Sequence, residues 1–544
     1  MKKLLFILTI TFSLFSISNT KAQTGIDWKV AYGGNIGSLS DACETPDGGF
    51  IMVGGANYID TVFWPNQMGL NDYGVIRVDS VGNIIWKKTY GGNKYDNAYC
   101  IIKGKRPNRY YIGGGTNSES STNYHAPNYG DAWIVSIDGA GTMLWDRCYG
   151  GYNGGEEFNS LVQLGDSNTI YGIGNTGSYN SGDVTGFYNT TVTGWLCKAN
   201  ANTGMLINQK IYGGTGTDYL NYSTRLNDLS FLVQGWTESR DHDVWVHYGN
   251  GPTMSNGWLL NIDTSLNIVW QKTIGSSGYG TIGNVTKTQD GGFAVIGITQ
   301  NKPGDTSCFS FYVDTTVFAN GEGKDEAFII KYDSLGNELW QQHYSAPLDR
   351  VRIEHAFVQM QDGNFLFPAI VSQWNSFAPW PYKNGTVFFK TDSIGNLIST
   401  SRYGIKTPSS IQGSGVQAER LFTTVDNKLI VVSKFAPYTG QSANDKWCIW
   451  RIGHQLSIDD NSKTEPLIKV YPNPSSGIIN IDFENTDGIK RISIYNTLGQ
   501  IIESTAVNTN RKHYSINLNG KSKGLYFIGI ETENDMLFQK VILE

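Results

Sequence analysis

Charge is scarce in this 544-residue chain: Asp, Glu, Lys and Arg make up only 17 % of it, and 42 basic against 48 acidic side chains leave a formal net charge of −6. No basic run is longer than a few residues, so the dense Lys/Arg field that a phosphate backbone requires is missing, which argues against nucleic acid as a partner. The same sparseness gives no reason for adsorption to an anionic membrane. Histidines number seven, and the six cysteines (Cys43, Cys100, Cys148, Cys197, Cys308, Cys448) stand singly with no C-x-x-C. That spacing excludes the usual zinc and dithiol sites. Most of these thiols read as small core hydrophobes, and Cys308, in a long insert, is the one placed for pairing or reactivity. No P-loop, dinucleotide fingerprint or nucleophile elbow occurs in a supporting context, so neither a cofactor nor a catalytic residue is assigned. Beyond the first 22 residues no apolar run is long enough to span a bilayer.

Glycine (64), tyrosine (30) and tryptophan (15) are plentiful. Many short strands joined by tight turns are the expected outcome of that mixture. The start is different. Lys2 and Lys3 precede an apolar stretch, Leu4 to Ile17, and Thr20-Lys21-Ala22 offers a small residue at a cut before Gln23. Residues 1–22 read as a secretory signal peptide, with no cysteine placed for a lipid anchor.

A Tyr-Gly-Gly phrase, usually four residues after a Trp, then organises most of the chain. It occurs as Trp28 to Tyr32-Gly33-Gly34, Trp86 to Tyr90-Gly91-Gly92 and Trp145 to Tyr149-Gly150-Gly151. Degraded copies follow at Tyr212-Gly213-Gly214, Trp270 to Ile274-Gly275, Trp340 to Tyr344 and Tyr403-Gly404, at successive spacings of 58, 59, 63, 62, 70 and 59 residues. Within each unit a turn such as Asp47-Gly48-Gly49 or Asp290-Gly291-Gly292 introduces an apolar strand, because Asp-Gly pairs tolerate positive φ. A variable loop and a third strand come next. A second turn of the form Asp79-Ser80-Val81-Gly82-Asn83 or Asp333-Ser334-Leu335-Gly336-Asn337 leads to the Trp-bearing strand. On that strand Ile84, Trp86 and Tyr90 share one face and Lys87 and Thr89 the other, the alternation of a half-buried strand.

Four strands in a meander cannot bury both faces alone, but sheets packed radially can, so each unit is predicted to be a propeller blade. Seven turn signals give seven blades. The last unit, 416 to about 456, lacks a Trp-x-x-x-Tyr strand, and the chain begins with a spare one, Ile26 to Tyr32. The first strand is therefore predicted to complete the last blade and remove an open edge. The units resemble the propeller repeats of secreted bacterial proteins, including the seven-bladed SBBP type, over residues 26–456. Blades 3, 4 and 7 depart from the pattern at the Trp or the second turn. That resemblance implies an architecture and no specific activity.

A polar stretch, 457–466, reads as a linker, after which the repeat disappears. Residues 467–544 carry Tyr471-Pro472-Asn473-Pro474 with Gly477, then Ile494-Tyr495-Asn496-Thr497-Leu498-Gly499-Gln500, Gly524-Leu525-Tyr526-Phe527-Ile528 and Lys540-Val541-Ile542. Their strand pattern predicts a small β-sandwich. The phrases closely resemble the type A C-terminal sorting domain of the type IX secretion system of Bacteroidetes. The resemblance implies that Pro472, Asn473, Pro474, Gly477, Gly499, Gly524 and Lys540 form a sorting motif read by outer-membrane secretion machinery. It also implies surface attachment or release after the module is removed, with no membrane span in the mature protein.

Two sets of residues could carry function in the propeller. Long loops between the second and third strands hold aromatics, among them Trp64, Tyr124, Trp236, Trp245, Trp374 and Trp380, which are candidates for stacking on a glycan or anchoring a surface protein. Alternatively they fold inward and pack the loops. Acidic residues recur soon after Tyr-Gly-Gly: Asp41, Asp96, Glu156, Glu157, Asp218 and Asp349. Near the central channel, paired carboxylates could cut polysaccharide or hold a cation, whereas a carboxylate repeated in most blades more often caps a loop. Asp241-His242-Asp243 with His247 superficially resembles a ligand set, at a spacing that suits no standard site. The expectation is an exported binding or adhesion propeller, with a polysaccharide-processing enzyme or a structural envelope protein as alternatives.

Overall fold

In the computed structural model the described residues are 26–33, 36–58, 60–119, 121–125, 129–188, 192–248, 255–275, 280–300, 325–344, 349–353, 356–373, 385–402, 415–436, 446–452, 468–483, 489–496, 501–507, 511–532 and 536–544. The expected signal peptide and linker, and Cys308, lie outside them. One compact unit spans Ile26–His454, and the C-terminal strands belong to a second.

The first unit is a seven-bladed β-propeller. Blade 1 is a meander of Leu39–Glu44, Phe50–Asn57, Asn71–Val78 and Ile84–Tyr90, in that spatial order, and four further blades repeat it. In blade 6 the innermost position is shared by Asp349–Ile353 and Val358–Gln359. Blade 7 takes its three inner strands from Gly415–Thr423, Leu429–Ala436 and Lys446–Ile452 and its outermost from Ile26–Tyr32 at the other end of the unit. The spare strand thus closes the ring, with Tyr32 opposite Trp447 and Val30 opposite Ile449. Closure removes the edge that an open array would expose.

Each innermost strand borders the channel and has sheet partners on one side only, so its backbone groups must be satisfied by other means. Neighbouring blades supply side-chain acceptors: Asp41 Oδ2 accepts from Ile101 N at 3.0 Å, Asn175 Oδ1 from Leu220 N at 2.8 Å and Ser160 Oγ from Ser223 N at 3.1 Å. Six of these strands carry a bulge at the same point, between Leu39/Asp41, Ala98/Cys100, Phe158/Ser160, Leu220/Tyr222, Ile282/Asn284 and Ala418/Arg420. A bulge sharpens the local twist and re-aims the next side chain. Asp41, Cys100, Ser160, Tyr222, Asn284 and Arg420 therefore occupy equivalent levels around the channel.

The repeated phrases turn out to be the joints between blades. On five of the outer strands the terminal Tyr hydroxyl donates to a carbonyl in the second turn of the next blade: Tyr32 to Gly82, Tyr90 to Gly141, Tyr212 to Leu266 and Tyr344 to Gly395, all at 2.7 Å, and Tyr149 to Gly204 at 2.5 Å. The Trp rings pack on the same turns. At Gly141 (φ +71°) a Cβ would lie 3.0 Å from Trp86, and at Gly204 (φ +69°) 2.7 Å from Trp145, so glycine is needed for both its backbone angle and its lack of bulk. The turns hold themselves with their leading Asp. Asp79 Oδ1 accepts from Val81 N at 3.0 Å and Asn83 N at 2.8 Å, and Asp138, Asp263, Asp333 and Asp392 do the same. Cys43, Cys100, Cys148, Cys197 and Cys448 are free thiols, all but Cys43 fully buried.

The second unit places Ile468–Tyr471, Ile478–Phe483 and His513–Asn517 in one sheet and Ile489–Asn496, Ile501–Ala506, Gly524–Thr532 and Met536–Leu543 in another. Alternating residues of both sheets, among them Ile481, Ile494, Tyr514, Ile528 and Val541, form one core, the signature of a sandwich.

Candidate binding face

In a four-stranded meander the turns after the first and third strands lie at one end of the blade. The loop after the second strand and the connection to the next blade lie at the other. The two ends differ chemically. Among the described residues the propeller exposes eight aromatic rings, Tyr58, Tyr95, Tyr129, Tyr152, Tyr179, Phe187, Trp245 and Tyr248, and every one sits on the loop end. Among the described residues the exposed large hydrophobics of the turns are non-aromatic, Val81, Met205, Leu229, Leu335, Ile394 and Val425.

These rings are held by their surroundings. Tyr179 and Phe187 pair within one loop of blade 3 at 4.8 Å between centroids. Beside them Tyr152 N donates to Ser181 Oγ at 3.1 Å and Asn153 Nδ2 to the Tyr179 carbonyl at 3.3 Å, joining the connection into blade 3 to that loop. His125 lies edge-on to Tyr152 at 5.8 Å. Its Nδ1 is 2.9 Å from Asp131 Oδ2, a contact that raises the imidazole above its ordinary range. In blade 4, Trp245 is 64 % exposed while its loop is fastened by Gln271 Nε2 to the Asp243 carbonyl.

The loop aromatics singled out from the sequence divide. Trp245 is on the surface. Trp64, by contrast, is 1 % exposed: its Nε1 donates to the Ile36 carbonyl at 2.9 Å and its ring packs against Trp447 across the closing joint. It is core. Tyr124 is half-buried and donates to the Asn117 carbonyl at 3.1 Å, and Trp236 stacks on Tyr219 at 4.6 Å within its own blade. Trp374 and Trp380 lie outside the described residues. Tyr95 and Tyr152, in the connections between blades, were not singled out. Both follow a Tyr-Gly-Gly phrase within three residues, in Tyr90-Gly91-Gly92-Asn93-Lys94-Tyr95 and Tyr149-Gly150-Gly151-Tyr152, and that proximity was the available signal.

The recurring carboxylates resolve into loop caps. Asp96 accepts from Gly92 N and Ser118 Oγ, each at 2.8 Å, and from Thr116 Oγ1. Glu156 accepts from Gly151 N at 3.1 Å, Thr176 Oγ1 at 2.8 Å and Ser178 N at 3.1 Å. Asp218 accepts from Gly214 N at 2.9 Å, Ser239 Oγ at 2.7 Å and Thr237 Oγ1. A Thr-x-Ser at the end of the second strand is the common partner. Asp41 does not belong to this set: it lies further along its strand, on the channel, beside Arg420. Glu157 hydrogen-bonds to the Tyr99 hydroxyl. The side chain of Asp349 lies outside the described residues.

A second carboxylate faces two of the caps. A Cβ on Gly91 would lie 2.6 Å from both Asp72 Oδ1 and Asp96 Oδ2, and one on Gly150 2.6 Å from Glu156 Oε2 and 2.7 Å from Asp131 Oδ1. The first glycine of the repeated phrase is thus required by two carboxyl groups closing over it. Asp72 Oδ1 and Asp131 Oδ1 have no hydrogen-bond partner. Burial, with the neighbouring Asp96 carboxylate adding to it, lifts Asp72 to about 6, and burial with Asp131 lifts Glu156 to about 7.

Asp241, His242, Asp243 and His247 do not converge. Asp241 accepts from Thr215, Asp243 Oδ2 from the Tyr188 hydroxyl at 2.8 Å, His242 stacks on Tyr188, and His247 Nε2 is 3.3 Å from the Thr237 carbonyl.

In the C-terminal unit Pro472 and Pro474 follow cis peptide bonds, and Asn473 Oδ1 accepts from Ile542 N at 2.9 Å. Ser475 N donates to the Ile542 carbonyl at 2.8 Å, so the entry of the module is tied to its last strand. Gly477 (φ +144°) has Asn519 Oδ1 where a Cβ would stand, and Gly524 (φ +139°) opens a strand. Lys540 lies opposite Phe527, and Gly499 is outside the described residues.

Comparison with known proteins divides along the same boundary. Residues 469–544 match the family described as the secretion system C-terminal sorting domain. The chain accordingly carries a type IX sorting signal that directs it to the cell surface or the extracellular space. No helix among the described residues is long and apolar enough to cross a membrane. No curated protein matches the chain. Solved structures similar to it include an ulvan lyase of polysaccharide lyase family PL25 (10 % identity over 79 % of this chain and 96 % of that one, TM-score 0.46). Others are the β-propeller domain of the trilobed protease from Pyrococcus furiosus (9 %, 76 % and 95 %, 0.37) and the quinohemoprotein alcohol dehydrogenase ADHIIG from Pseudomonas putida HK5 (9 %, 83 % and 78 %, 0.40). At these identities the likeness is one of fold, and none of those activities transfers.

Proposed function

We propose that the exported propeller is a carbohydrate-binding protein that engages polysaccharide through its loop end. The observation that carries this reading is the confinement of all eight exposed aromatic rings to that end. A flat ring exposed beside amides and hydroxyls is the chemistry a sugar needs. The ring covers the apolar C–H face of a pyranose, and the neighbouring polar groups meet its hydroxyls. Tyr152, Tyr179 and Phe187 with Asn153 and Asn180 supply such a patch, and Trp245 a second. The loop carboxylates serve the frame rather than catalysis, because Asp96, Glu156 and Asp218 spend their oxygens on loop donors. The C-terminal sorting domain delivers the propeller to where polysaccharide is met.

The test is retention of the purified chain on a glycan array and on insoluble polysaccharides. A positive surface should lose roughly tenfold or more in affinity with Trp245→Ala or Tyr152→Ala, since stacked aromatics dominate such contacts. Absence of any retained glycan, or retention indifferent to both substitutions, would reject the reading.

A further inference from the structure

The opposite end of the channel holds a different chemistry. Near the turn end, between the innermost strands of blades 1 to 4 and 7, lies a cavity of ≈ 380 Å³. Its charged lining is Lys103, Lys105, Arg225 and Arg420 against one carboxylate, Asp41. Four cations and one anion give a local charge of +3 in a chain whose net charge is −6.

The one carboxylate is already committed. Asp41 is buried, and its oxygens accept from Ala42 N at 2.8 Å and Ile101 N at 3.0 Å, with Arg420 Nε 3.3 Å away. Arg420 reaches across the channel to lie over the Tyr222 ring, 4.7 Å from its centroid, which fixes a guanidinium edge in the cavity wall. Arg225 is paired outward with Asp228. Among the described residues Lys103 and Lys105 form no ion pair. Gln163, 6 % exposed, uses Oε1 to accept from Lys105 N at 2.7 Å, while its Nε2 is buried without a partner. Burial first, and then the Arg225 guanidinium, pull the Lys105 ammonium below the ordinary lysine range. Arg225 and Arg420 are half-buried and Lys103 and Lys105 exposed at the cavity's mouth, so the four raise a positive potential there, and an unpartnered buried N–H donor is costly until an acceptor arrives.

We propose that this cavity binds a compact oxyanion: a carboxylate, sulfate or phosphate group, free or carried on a small sugar. The guanidinium of Arg420 supplies the fixed contact, Gln163 Nε2 a neutral donor, and Lys103, Lys105 and Arg225 the surrounding charge. The volume lies at the small end of the range for small-molecule sites. The site is separate from the aromatic loop end and does not depend on it.

Calorimetric titration of the full chain with sodium sulfate, sodium phosphate and sodium glucuronate, at constant ionic strength set with sodium chloride, tests the proposal. Saturable binding of at least one of the three is expected, and the three arms identify the source of the anion. Lys105→Gln with Arg225→Gln should weaken it roughly tenfold, as expected for loss of two charge-assisted contacts, and Trp245→Ala should leave it unchanged. Lys103→Gln, at an exposed strand end, should give the same direction and serves if the double variant loses its fold. A response no different from chloride for all three anions, or saturable binding that survives these substitutions, would overturn it.

Discussion

The two ends of the propeller are built from the same strands but under opposite rules. At the turn end five blades repeat one device, an Asp that accepts from the backbone two and four residues on, and in four of them a Tyr from the preceding blade donates into that turn. At the loop end the connecting segments differ in length and in what they present, from the buried Trp64 to the exposed Trp245. Repetition therefore marks what holds blades together, and departure from it marks where the surface is free to specialise.

Substitutions at the two kinds of position should separate stability from binding. Trp64→Ala removes a ring packed on Trp447 and should cost about 3–5 kcal/mol in urea unfolding, although it sits in a loop. A smaller loss near 0 would mean the loop does not seal the closing joint. The carboxyl pairs come next. Because Asp72 is lifted to about 6 and Glu156 to about 7, the folded chain holds protons that the unfolded chain has released. Stability is then highest below pH about 4 as far as these groups are concerned and falls as pH rises through 6 to 7, by on the order of 3 kcal/mol for each of the two groups. Asp72→Asn keeps an acceptor for Met68 N and turns a donor toward Asp96, as Asn256 does for Tyr248 N in blade 4. It should flatten the slope and leave the variant the more stable at pH 8. Unfolding at pH 5 and pH 8 checks both, and a steeper slope in the variant would contradict the pairing.

Gly150→Ala pushes a methyl group against Glu156 and Asp131 and should cost about 1–3 kcal/mol. Tyr90→Phe deletes one inter-blade hydrogen bond, at about 1 kcal/mol, read as a small drop in melting temperature. Smallest of all, Trp245→Ala should change stability by less than about 0.5 kcal/mol while reducing glycan retention, because its ring covers nothing the fold needs. A large stability loss there would erase the distinction between the two ends.

Much of this frame was legible in the chain. The Asp-x-x-Gly-Asn turn and the Trp-x-x-x-Tyr strand are local devices, so composition and spacing expose them, and the unmatched Ile26–Tyr32 pointed to closure by simple count. The caps were half legible. Asp96, Glu156 and Asp218 recur visibly, yet their partners, Thr116-Asn117-Ser118, Thr176-Gly177-Ser178 and Thr237-Glu238-Ser239, lie some twenty residues on and went unread. Asp41 also follows its Tyr-Gly-Gly phrase by a few residues, and that distance alone does not express its place on the strand. A single bulge and a shift of a few positions decide whether a side chain caps a loop or faces the channel. Trp64 was chosen for its loop, and a loop's course is a matter of packing that its own sequence does not express.

The number of blades, the order of their strands, the closing strand and the C-terminal signal follow from the chain alone, because each depends on contacts between near neighbours or on a phrase read as a unit. Which aromatic rings reach solvent, which carboxylates meet over a glycine, and how Asp41, Tyr222 and Arg420 come to face one another from blades 1, 4 and 7 depend on closing the ring. Only then do residues separated by hundreds of positions share one environment, and burial, which sets their chemistry, is a property of that closed packing.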